Sequence, residues 1–130
     1  MLVSICLRAF VAMNYLKKEQ PMKKRQQISQ YGVDLCSTIP QRAIEAFDIS
    51  TKRFFEWEKT STEVIGMLCP SETVVTTRVR LSNNNRYLVE ILPAYSKQFG
   101  LTPTKKGGPM AIFEWDDTTL QVRIPLKNKN

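Results

Sequence analysis

Apolar and polar positions along this chain run through the same series of patterns twice. Residues 33–39 form a strand-like apolar run that stops at Pro40, and residues 40–49 follow with helical spacing. Residues 86–91 and 93–101 repeat that order around Pro93, ending at Phe99-Gly100-Leu101. Each copy then carries the same tripeptide, Phe55-Glu56-Trp57 and Phe113-Glu114-Trp115, and closes on a second apolar run, Val64–Leu68 and Leu120–Ile124. Self-similarity at a period of 53 to 58 residues predicts two equivalent units.

Within each unit the elements follow from period and punctuation. Ile28 to Ile39 alternates around Tyr31-Gly32, which predicts two strands and a turn. Proline has no backbone N–H to give to a ladder but suits the first turn of a helix, so Pro40 and Pro93 mark helix starts. Ala43, Ile44 and Phe47 give the first helix one apolar face, while Arg42 and Glu45, three apart, are placed to pair on the other. Phe54–Glu58 and Val64–Leu68 form a hairpin with a polar tip; Pro70-Ser71 is the only linker. From Thr73 to Leu81, Val75, Thr77, Val79 and Leu81 alternate with Thr76, Arg78 and Arg80, as a half-buried strand requires. Ser82–Asn85 is a turn, because Asn tolerates positive φ. Gly100 caps the second helix, residues 102–109 form a basic loop with Lys105-Lys106, and Asp116-Asp117 turns the last hairpin.

Organisation follows: residues 1–22 are an N-terminal extension, 23–70 repeat one and 71–130 repeat two. Residues 1–16 are apolar but uncharged at the start and interrupted by Arg8, unlike a signal peptide, and too short for a span. They are a packing helix, a mispredicted start, or a weak anchor. A repeat this small cannot bury its strands alone, so the two must share a core. The expected core is Val33, Leu35, Ile39, Phe55, Trp57, Leu88, Ile91, Phe113 and Trp115, with the tryptophans as anchors.

Charge narrows the function. The chain carries net +7 and no histidine, with 10 basic against 7 acidic residues in 1–70 and 9 against 5 in 71–130. A basic balance in both halves favours a polyanionic partner. Cys6, Cys36 and Cys69 lack metal-ligand spacing, and with no His to complete a set no metal or other cofactor is expected. Free cysteines in apolar runs indicate a reducing, cytoplasmic setting. No phosphate-cradling motif or nucleophile–base pair occurs, so the chain is not expected to be an enzyme. Glu56, Glu58 and Glu114 alternate away from the core as solvated faces.

The unit resembles the AbrB/SpoVT/MazE family of swapped-hairpin DNA-binding proteins. The resemblance rests on Ser37-Thr38-Ile39-Pro40-Gln41-Arg42-Ala43-Ile44 with Phe47-Asp48-Ile49, and on Val89-Glu90-Ile91-Leu92-Pro93 with Phe99-Gly100-Leu101, over residues 23–125. It implies a mainly β fold with short helices: two ββαββ swapped-hairpin repeats forming a barrel-like core with a pseudo-two-fold. Departures are Asp34 where a basic residue is common, a missing Gly-Asp after each helix, and an insertion holding Gly107-Gly108.

On that scaffold the expected function is sequence-specific DNA binding by a transcriptional regulator, with basic β-hairpins in the major groove. The candidate contacts to double-stranded DNA are Lys23, Lys24, Arg25, Arg42, Arg78, Arg80 and Arg86. Arg42 and Lys97 can instead pair with nearby acids. Arg78 and Arg80 share a strand face, so removing them is expected to leave stability nearly unchanged. The alternatives are an antitoxin with a toxin partner, disfavoured by the short basic end 126–130, and a non-DNA interaction module of the same fold. Self-association is compatible with each; a membrane partner is not expected.

Overall fold

The computed structural model describes residues 22–126. The expectations for residues 1–21 and for the basic end at 127–130 lie outside them. Among the described residues there are nine strands: β1 Met22–Gln26, β2 Ile28–Tyr31, β3 Asp34–Thr38, β4 Phe54–Lys59, β5 Glu63–Cys69, β6 Thr76–Leu81, β7 Tyr87–Glu90, β8 Ala111–Trp115 and β9 Leu120–Pro125. Helix α1 spans Gln41–Phe47 and α2 Pro93–Gln98; a single 3-10 turn covers Thr104–Lys106.

The strands form one antiparallel sheet in the order β1-β8-β9-β5-β4-β6-β7-β3-β2. Its two ends, β1 and β2, are separated in the chain by Gln27 alone. A sheet whose outermost strands are joined by one residue must curl until its edges meet, so the molecule is a nearly closed barrel. β6 makes the corner: Thr76–Arg78 pair with β4, and Val79–Leu81 pair with β7.

Local chemistry explains the elements. Tyr31 pairs with Asp34, leaving a two-residue turn in which Gly32 takes φ +67. Positive φ at the first central residue is what a type II′ hairpin needs. Val33 is therefore the tip of a turn and is 93% exposed, not core as its apolar run suggested. Asp48 supplies the left-handed residue after α1 (φ 52), and the Ile49 N–H reaches back to the Ile44 carbonyl at 3.1 Å. Aspartate tolerates that conformation, so the missing glycine is no obstacle. Gly100 does the same after α2, with the Leu101 N–H on the Ser96 carbonyl. β6 starts at Thr76, later than its alternation suggested, because Thr76 Oγ1 donates to the Thr73 carbonyl and folds 73–75 into a turn.

The aromatic residues of both tripeptides point inward. Phe55, Trp57 and Phe113 are fully buried and Trp115 nearly so, with Ile28, Ile39, Ile91, Leu120 and Ile124 around them. Gly66 lies opposite Trp57 in the β4·β5 ladder and leaves room for the indole. The Trp57 Nε1–H donates to Thr77 Oγ1 at 2.9 Å, and that hydroxyl donates to the Glu90 carbonyl. The chain thus satisfies a buried donor across three strands.

Candidate nucleic-acid interface

The cations singled out in the sequence divide into two groups. One group is gathered at a groove of about 710 Å³ between β1, the start of α1 and the β6–β7 turn. β1 brings Lys23 and Lys24 to it, α1 brings Arg42 and the turn brings Arg86. Ile39, Ile44, Tyr87 and Trp115 supply apolar lining, and no carboxylate is among the lining residues. Lys24, Arg42 and Arg86 are exposed. Lys23 is 3.7 Å from Glu114, a long contact on a mostly solvated side chain. The turn that carries Arg86 is held by Ser82, whose Oγ accepts the N–H groups of Asn84 and Arg86 at 3.3 and 3.2 Å. Asn85 takes φ 60 there, the role the Asn run suggested. Arg25, also exposed, is on β1 but outside the groove lining.

The second group is turned to structural use. Arg80 Nη1 lies 3.3 Å from Asp34 Oδ2, 3.6 Å from Glu90 Oε1 and 3.6 Å from Cys36 Sγ. These four residues join β6, β7 and β3 at the barrel's corner. Burial, with added repulsion from Asp34, raises the Glu90 carboxyl above the ordinary carboxylate range against the pull of Arg80. Burial pushes the Cys36 thiol up to about 11, opposed by Arg80, so this sulfur stays protonated at neutral pH. Arg78 lies over the Phe54 ring at 5.0 Å, with its Nη1 on the Thr51 carbonyl at 3.4 Å. Arg78 and Arg80 are therefore not two equivalent free cations on one face. Asp34 does not confront an incoming phosphate but neutralises Arg80.

Two other sequence pairings differ. Glu45 accepts from Gln41 Nε2 at 3.2 Å, a partner four residues away in place of Arg42. Glu114 is not a free solvated carboxylate: Arg123 Nε donates to it at 2.9 Å and Gln121 at 3.1 Å, while Arg123 Nη1 reaches Glu63 at 3.1 Å. The Arg123 hydrogen bond holds Glu114 below its usual range, and Glu114 in turn raises the guanidinium.

The groove residues that sequence reasoning missed are Gln26, Asn85 and Tyr87. Only the turn signal of the Asn run pointed toward them; Gln26 needs its long-range bond to the Thr38 carbonyl (2.8 Å) to be placed. Among the described residues no cluster of His, Cys, Asp or Glu could hold a metal ion, and no helix is long and apolar enough to cross a membrane. Comparisons of the chain with family models, with curated proteins and with solved structures find no match.

Proposed function

We propose that this protein is a sequence-specific DNA-binding transcriptional regulator of the swapped-hairpin kind, acting on duplex DNA in the cytoplasm. The observation that carries the reading is the groove in which Lys23, Lys24, Arg42 and Arg86 converge from three separate elements with no carboxylate among the lining residues. Cations assembled from distant parts of a chain, on a molecule of net +7, suit a rod of phosphates. The adjoining β6–β7 hairpin is a two-stranded ribbon of the size the major groove admits, with Asn83, Asn84, Asn85 and Arg86 at its tip for base edges.

Strand pairing supports the two-repeat architecture. β4–β5 and β8–β9 meet through the β5·β9 ladder, and β2–β3 and β6–β7 meet through β3·β7. A shift of 53 residues, the spacing of Pro40 and Pro93, carries the pair Cys36–Glu90 onto Val89–Ser37, which pair in the same ladder. β4 of the first repeat lies against β6 of the second, while β8 of the second lies against β1 of the first, the pairing that an exchange of hairpins would give. Repeat one differs in breaking its first strand at Gln27, where β6 runs on unbroken.

Binding of a random duplex, followed by fluorescence anisotropy at several salt concentrations, tests the reading. Each phosphate neutralised contributes roughly −0.9 to the slope of log affinity against log salt. Replacing Lys24, Arg42 and Arg86 with Ala should weaken binding and flatten the slope by about 2.7 if each neutralises one phosphate. A triple variant that melts normally and keeps its affinity and slope removes the groove as the DNA site. Absence of duplex binding by the unaltered chain removes the function.

A further inference from the structure

The two ends of the sheet are finished differently. β2 is covered: the Ile28 N–H donates to Thr104 Oγ1 at 2.9 Å, on the 3-10 turn. β1 pairs with β8 alone, and among the described residues Met22–Gln26 make no backbone hydrogen bond to any other segment. Its open side borders the cationic groove, so a row of backbone donors and acceptors faces that space.

A phosphodiester backbone can use the charges here and accept from the N–H groups, but it has no donors for the alternating C=O groups and no apolar surface for Ile39, Ile44 and Tyr87. A second copy of β1 fits poorly, because Lys23-Lys24-Arg25 would face the same charges across the new ladder; lysines on open edges commonly serve to block such pairing. A strand that alternates carboxylates with aliphatic residues satisfies all three features at once. We propose that the open edge of β1 takes an extended acidic peptide as a tenth strand, lying in the groove with its carboxylates on Lys24, Arg42 and Arg86. Such a segment would compete with DNA for the same cations; that competition, though not the binding, rests on the DNA reading above.

The probe is a labelled peptide of about nine residues alternating Glu with Ile or Val, a length that overspans the five residues of β1. It is titrated into the full chain by anisotropy, beside the same peptide with alternate backbone nitrogens methylated and beside oligoglutamate of equal charge. Main-chain pairing predicts that the alternating peptide binds at least about ten-fold tighter than either comparison peptide. It also predicts slowed hydrogen exchange confined to residues 22–26, and loss of binding in Lys24→Glu with the more conservative Lys24→Ala intermediate. Equal binding of the methylated peptide or oligoglutamate, or protection elsewhere in the chain, overturns strand addition. A duplex that binds and is not displaced overturns the competition alone. If no duplex binds while the peptide does, the DNA reading fails and strand addition stands.

Discussion

Gly66 and Arg80 show how single residues carry this fold. A Cβ on Gly66 would stand 2.8 Å from Trp57 Cη2 and Cζ3, inside the contact limit of a rigid, buried ring. The indole cannot retreat without losing its Nε1–H bond to Thr77. Gly66→Ala should therefore destabilise by about 1–3 kcal/mol, the range for overpacking, despite the better strand entropy of alanine. Chemical denaturation checks this, and an unchanged midpoint would mean the indole moves freely. Arg80 and Arg78 should separate sharply. Arg80→Ala leaves Asp34 and Glu90 facing each other beside buried Cys36, and should cost on the order of 1–3 kcal/mol at neutral pH. Arg78→Ala gives up a ring contact and should cost no more than about 1 kcal/mol. Acid should relieve the Arg80→Ala defect, since Glu90, already raised, then takes up a proton. A defect that persists at pH 3, below the ordinary carboxylate range, would locate the role of Arg80 in packing rather than charge.

The β5–β9–β8 ladder makes an opposite case at the scale of elements. Glu63, Arg123 and Glu114 form a cross-strand chain over its outer face, with Lys23 of β1 at its end. The folded Glu114 has a lowered pKa, so its contribution is fully present above the unfolded value of about 4.3 and is lost as pH falls through the folded one. Glu90 runs the other way: its raised pKa favours folding most below about 4.3, an advantage lost as pH rises through the folded value. Glu114→Gln should lower stability at pH 7 by about 1 kcal/mol, moderated by partial exposure. The gap from wild type should narrow as pH falls below the unfolded value of about 4.3 and through the folded one, a comparison read from melts at pH 7 and at a series of pH values below about 4.3. A gap of constant size would show that the carboxylate's charge is not what matters. The hairpins and helices were legible from alternation, Pro40, Pro93 and the Asn turn, because those signals are local. This ion chain was not, since Glu63 and Arg123 are sixty residues apart and meet only through the register Ile65–Arg123. Val33 misled for a related reason: Gly32 claims it for the turn, and apolar character alone cannot tell a strand end from a turn tip.

At the scale of the whole molecule, the duplicated tripeptide foretold a shared core, and Phe55, Trp57, Phe113 and Trp115 fill it. What the repeat could not foretell is how the first copy closes the barrel. The basic run Lys23-Lys24-Arg25 precedes the hairpin predicted over Ile28–Ile39, yet it is itself part of strand β1, paired over five residues with β8. Its cations reach Arg42 and Arg86 only because the sheet curls, so no spacing in the chain reveals the groove. The closing role has a measurable consequence. β1 covers the flank of β8, where Phe113 and Trp115 anchor the core, and its removal would leave that strand as a raw edge. A chain cut to begin at Met22 keeps the whole ladder and should melt cooperatively, close to the full chain. A chain cut to begin at Gln27 loses all five paired residues and with them Lys23 and Lys24. It should show a broadened or absent transition and, if any folded fraction survives, a weaker response to duplex DNA. Matching melts for the two truncations would mean that β1 only decorates the barrel, and the groove beside it would then be an accident of packing rather than a built site.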